Sequence, residues 1–107
     1  MPGIEIDLEA LPENKPVRFE LEGMGVVVVR IGTEIHAYED VCPHAGWRLS
    51  EGEIIDGRLE CPGHGWQFQP ATGQCTDVPA YRLKPVTVTR IGDKVTIAIA
   101  GSVHETR

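Results

Sequence analysis

"CPHAGW" at residues 42–47 and "CPGHGW" at residues 61–66 decide how this chain is read. Each hexapeptide carries Cys-Pro, a histidine, a Gly and a closing Trp, but the histidine follows Cys42 by two residues and Cys61 by three. A simple repeat would keep that spacing. Four donor atoms converging on one centre need not. The pair therefore reads as two loops shaped around a common site.

The segments around these loops read as short strands. "IEID" (4–7), "VRFEL" (17–21), "VVVV" (26–29) and "EIHAY" (34–38) precede the first loop. Between the loops, "EII" and "RLE" flank Asp56-Gly57, a strong hairpin signal because both residues tolerate the positive φ of a tight primed turn. The chain then reads "VTVTR" (86–90) and "KVTIAI" (94–99) around "IGD", a second hairpin. β-Branched residues with partial period-two alternation predict an all-β antiparallel sandwich or small barrel. A short helix is expected at Asp7 to Leu11, before Pro12, and the tail "GSVHETR" reads as polar and frayed. A hairpin brings its far ends side by side, so Cys42–Trp47 and Cys61–Trp66 should meet at one end of the 53–60 hairpin.

Composition narrows the class. A length of 107 residues fits one domain, 1–107. The longest purely aliphatic run is Val26 to Val29, far short of the ~20 apolar residues of a membrane span. "MPGIEIDLEA" has neither the basic segment nor the apolar core of a signal peptide, so a soluble cytoplasmic protein is expected. Sixteen acidic against ten basic residues give a formal charge of −6, which offers nucleic acid no basic patch. The acidity suits a partner with a positive docking face, and suits plain solubility equally well. Three cysteines, an odd number without an export signal, speak for metal or free thiol rather than a disulfide framework.

The full pattern is Cys42-x-His44, sixteen residues, then Cys61-x-x-His64. Two thiolates and two imidazoles suit tetrahedral zinc. They equally suit a two-iron, two-sulfide cluster with the cysteines on one iron and the histidines on the other. The single residue between Cys42 and His44 is tight for two side chains converging on one atom, which favours ligands of two different metals.

This pattern resembles the Rieske [2Fe–2S] signature, C-x-H and C-x-x-H, and the resemblance extends over nearly the whole chain. It implies a β-sandwich with a small inserted cluster-binding subdomain, its loops at about 42–47 and 61–66. It implies one cluster per chain, with Cys42 and Cys61 on the buried iron and His44 and His64 on the outer iron near solvent. Pro43 and Pro62 would stiffen the loops, while Gly46, Gly63 and Gly65 would allow close backbone approach. Val78 to Ala80 lie where the family places a third covering loop. High-potential members carry a disulfide between the loops; the matching positions here are Trp47 and Gly63. They also carry serine and tyrosine hydroxyls bonded to the cluster sulfurs, where this chain has Trp66 and Phe68. The expected potential therefore lies at the low end of the Rieske range, about −150 to +300 mV.

The function this implies is one-electron transfer rather than catalysis, because no coordination position is left for a substrate. The chain looks like the ferredoxin component of a multicomponent aromatic-ring dioxygenase system, a monomer passing electrons from a flavin-dependent ferredoxin reductase to a terminal oxygenase in aromatic compound degradation. Two alternatives stand beside it. One is the Rieske domain or subunit of an oxygenase catalytic component, although after the cluster motif only His104 remains toward a second iron site. The other is a zinc-binding interaction module. Trp47 and Trp66 are expected to pack, to shield the cluster or to meet a partner. Cys75 is expected to be a small buried apolar residue, and His36 and His104 to face solvent.

Overall fold

The computed structural model describes residues 3–43, 46–63 and 65–98. Its nine described strands form three antiparallel three-stranded sheets. Strands β1 (Ile4–Asp7), β9 (Lys94–Ala98) and β8 (Thr87–Ile91) make the first sheet in that order. The second contains β2 (Val17–Leu21), β3 (Met24–Ile31) and β4 (Glu34–Glu39). The third, between the cysteine loops and just after them, contains β5 (Glu53–Ile55), β6 (Arg58–Glu60) and β7 (Gln67–Phe68).

The four-valine run explains the layering. All of Val26 to Val29 are fully buried. Successive side chains on a strand point to opposite faces, so an unbroken aliphatic run suits a strand covered on both. Val26 and Val28 pack with Ile6, Leu21, Val95 and Ile97, joining the first two sheets. Val27 and Val29 pack with Leu49, Leu59, Phe68 and Leu83, joining the second sheet to the cysteine-bearing insertion. The middle sheet thus supports a sandwich on one face and the functional loops on the other.

The insertion leaves and returns at one place. The amide of Glu39 donates to the carbonyl of Lys84 at 2.9 Å, and that of Val86 to the carbonyl of Ala37 at 2.9 Å. Everything from Asp40 to Lys84 is therefore an excursion whose two ends are tied to β4. Inside it the Asp56-Gly57 turn has φ of +53° and +78°, as the hairpin reading requires.

Element bounds differ a little from the sequence expectation. The expected helix at Asp7 to Leu11 is one 3-10 turn, Leu8–Ala10, held by the Leu11 amide on the Leu8 carbonyl at 3.1 Å. The expected strand 86–90 runs from Thr87 to Ile91, because Val86 is spent on the bond to β4. Ile99 and the tail, with His104, lie outside the described residues. His36 corrects an expectation: its side chain is only 21% exposed, with Nε2 3.2 Å from Glu34 Oε1. It shares a strand face with Tyr38, which the insertion covers.

Candidate metal centre

The described residues of the two hexapeptides close in the same way. The Cys42 amide donates to the carbonyl of Trp47 at 2.8 Å, and the Gly46 amide to the carbonyl of Cys42 at 2.8 Å. In the second copy, the Cys61 amide donates to the carbonyl of Trp66 at 2.8 Å, and the Gly65 amide to the carbonyl of Cys61 at 3.1 Å. Gly46 and Gly65 both sit in the left-handed region, with φ of +77° and +76°. A side chain is disfavoured there, which is why each hexapeptide places glycine fifth. Two loops of one closure, with histidine at different offsets, are what a common centre with unlike ligand positions requires.

Cys42 and Cys61 are each 1% exposed and belong to one buried cluster with Leu49, Leu59 and Phe68. Neither is in a disulfide. The Gly63 amide donates to Cys61 Sγ at 3.4 Å, so the second loop turns an N–H toward its own sulfur. A donor on a ligand sulfur stabilises negative charge there and is one control on a metal centre's potential. His44 and His64 lie outside the described residues. Among the described residues no group of three or more His, Cys, Asp or Glu side chains forms a metal site. The donor set that is described, two buried unbridged thiols on matching loops, fits one half of an iron–sulfur cluster.

A third loop completes the end of the molecule. The Cys75 amide donates to the carbonyl of Tyr81 at 3.0 Å, and the Tyr81 amide to the carbonyl of Val78 at 3.0 Å. Cys75 is 1% exposed, as expected, but it does more than fill space: Cys75 Sγ accepts the Val78 amide at 3.3 Å. The Tyr81 ring meets Trp66 with centroids 5.2 Å apart and planes tilted by 58°. Trp66 and Val78 pack partly buried against the core cluster. Trp47 by contrast is half exposed, and Val41, just before the first loop, and Tyr81, of the third, are exposed apolar side chains as well.

Charge is unevenly distributed about this end. A cleft beside Cys61 is lined by Glu51, Glu53 and Glu60. The cleft beside Cys42 is lined by Val41 and Pro43 together with Arg82, Lys84 and a single acid, Glu39. The most buried charged side chain among the described residues is Asp40, two residues before Cys42, which pairs with Arg18 Nη1 at 2.6 Å. The Arg18 guanidinium is raised above its ordinary value, first by its hydrogen bond to Asp40 and then by that to Glu20.

Comparison with known proteins agrees with this geometry. The Rieske [2Fe-2S] domain family matches residues 5–90. The chain belongs to that family. It is 35% identical over 94 residues to the ferredoxin component of biphenyl 2,3-dioxygenase from Rhodococcus jostii, covering 87% of this chain and 88% of that protein. It is 43% identical over 70 residues to the chloroplast protein TIC 55 of Pisum sativum, covering 64% of this chain. The chain spans only 12% of the length of that relative. Among solved structures, the ferredoxin of carbazole 1,9a-dioxygenase from Nocardioides aromaticivorans superposes with a TM-score of 0.80 at 29% identity, covering 91% of this chain and 96% of that one.

Proposed function

We propose that this protein is a one-electron carrier built on a single Rieske domain, serving as the ferredoxin component of a multicomponent oxygenase system. The observation that carries the reading is the pair of buried, unbridged thiols, Cys42 and Cys61, on two loops of identical closure. The near full-length match to a dioxygenase ferredoxin supports the carrier over an oxygenase catalytic chain. A [2Fe–2S] cluster supplies a one-electron couple when bound.

The chain's own residues would divide the work. Cys42 and Cys61 would hold one iron within the apolar cluster, and His44 and His64 would hold the other, one cluster per chain. The Gly63 amide would stabilise negative charge on Cys61 Sγ. Trp66 and Phe68 bring no hydroxyl to the site, which favours a low potential. The exposed apolar side chains of Val41, Trp47 and Tyr81 would supply the apolar centre of a transient contact, first with a flavin-dependent reductase and then with a terminal oxygenase. No helix among the described residues is long and apolar enough to cross a membrane. The setting we propose is a monomer working in the cytoplasm on an aromatic degradation route.

Visible absorption and EPR of the purified protein, before and after dithionite, test the site. A red-brown protein that is EPR-silent when oxidised and gives a rhombic signal when reduced supports the reading. A colourless protein holding stoichiometric zinc overturns it.

A further inference from the structure

We propose that Trp47 and Gly63 form a non-covalent clasp that holds the two cysteine loops together over the metal centre. The inference rests on the reading that these loops hold a cluster. The indole of Trp47, from the first loop, lies over Gly63, in the second, on the side where a Cβ would project. A Cβ placed on Gly63 would come within 2.7 Å of Trp47 Cε2, and nearer still to Nε1 and Cδ1. Real Cβ atoms essentially never approach so closely, so the indole occupies the space a side chain at 63 would need.

Backbone conformation does not account for this glycine. Gly46 and Gly65 have positive φ, whereas Gly63 does not. Alanine would suit the Gly63 backbone and would keep the amide that points at Cys61 Sγ. What excludes alanine is the indole. Trp47 in turn is fixed at its backbone, where its carbonyl accepts the Cys42 amide. One end of the residue therefore closes the first loop and the other lies on the second. The equivalent residue of the second loop, Trp66, reaches onward to Tyr81 of the third. Each indole thus leaves its own loop to cover the next. Nearly half of Trp47 remains in solvent, at 47% exposure. Its buried face is what seals the seam between loops, and a positioning role follows rather than a direct one on the cluster.

The clasp and an incidental contact predict opposite signs for Gly63→Ala. With an incidental contact, alanine at an ordinary φ is neutral or slightly stabilising, through the unfolded chain. With a clasp, the new methyl expels the indole into solvent and loosens the loops. Because the displaced group is an exposed side chain rather than backbone, this variant should still fold.

The test compares the holoprotein with Gly63→Ala, Trp47→Ala and the double variant. The first readout is the rate at which visible absorption bleaches in excess iron chelator. Each single variant should bleach about tenfold faster, the scale expected for one mispacked buried contact. The double variant should be no faster than the singles, because both remove the same contact. The second readout is acrylamide quenching of tryptophan emission, which should rise in Gly63→Ala and show no such rise when Gly63→Ala is added to Trp47→Ala. Equal bleaching in all four proteins, or single effects that multiply in the double, would overturn the clasp. A colourless wild type would overturn the cluster reading instead, and thermal unfolding of the same four proteins would then decide the clasp: losses in the single variants that do not add in the double support it, and no loss in Gly63→Ala overturns it.

Discussion

Asp40 and Ser50 stand ten residues apart and grip each other across the mouth of the first cysteine loop: the Ser50 amide donates to Asp40 Oδ1 at 2.7 Å and its hydroxyl to Oδ2 at 2.6 Å. The loop from Val41 to Leu49 is therefore closed by a carboxylate with no exposed side-chain surface. Arg18 of β2 compensates its charge, and the Asp40 amide is itself spent on the carbonyl of Gly25 at 2.9 Å. The same residue starts the insertion, anchors it to the middle sheet and sets the height of Cys42.

Removing that carboxylate should be costly. Asp40→Ala deprives the part-buried amide and hydroxyl of Ser50 of their acceptor, a loss of about 2 kcal/mol from these bonds alone. For a domain of this size that lowers Tm by roughly 10 °C or more. Asp40→Asn keeps an acceptor and should lose less. Thermal unfolding followed by circular dichroism orders the variants, and an Asp40→Ala protein as stable as wild type would refute the brace.

Tyr38 predicts an alkaline limit. Its hydroxyl donates to the carbonyl of Pro70 at 2.5 Å, and burial raises its pKa above 10.0, against a smaller lowering by Arg82. The folded protein thus keeps a proton that the unfolded chain releases first. Stability is fully present below the unfolded value and falls as pH rises through the folded one. Lys94, raised by its hydrogen bond to Asp7, adds a fall in the same direction. The readout is therefore a difference: Tyr38→Phe should lose about 1 kcal/mol near neutrality but decline less steeply above pH ~10 than wild type. Parallel alkaline curves for the two proteins would count against it.

Much of this was legible from local chemistry. The Asp56-Gly57 turn, the valine run and the twin hexapeptides each carry their structure in adjacent residues. The grip of Asp40 does not, because its partners Arg18 and Ser50 come from 22 and 10 residues away and no spacing rule links them. Strand β7 was invisible for a related reason: two residues have no periodicity, and Phe68 is a strand residue only because it pairs with Leu59. His36 misled because alternation identifies a face but not what covers it. The cysteines of the site were marked by their motif, whereas the seat of Trp47 on Gly63 needed coordinates.

Gly52 is constrained by backbone rather than by conformation. Its φ is −88°, yet a Cβ there would overlap the carbonyl oxygen of Glu60 and lie 3.3 Å from that of Leu49. Neither obstacle can swing aside. Gly52→Ala should cost about 1–3 kcal/mol as the 3-10 turn Leu49–Glu51 and β6 are forced apart. Gly57→Ala is the contrast, with open space but φ of +78°, and should cost about 1–2 kcal/mol from left-handed strain alone. Only the Gly52 variant should also speed cluster loss, since it alone disturbs the segment leading into Cys61. Equal cluster retention in both would sever that link.

The three cysteines should separate cleanly under substitution, although all are equally buried. Cys42→Ala or Cys61→Ala removes one of the two sulfur ligands proposed for the cluster, so the protein should purify without its visible absorption. Cys75→Ala removes only the acceptor for the Val78 amide and a little packing volume. It should stay coloured while losing about 1 kcal/mol of stability. The discriminating quantity is iron and sulfide per chain, measured on all three variants beside wild type. Loss of iron in the Cys75 variant would assign that thiol to the centre and displace one of the other two. Retention there, with loss in both others, ties the cluster to the two loops that share one closure.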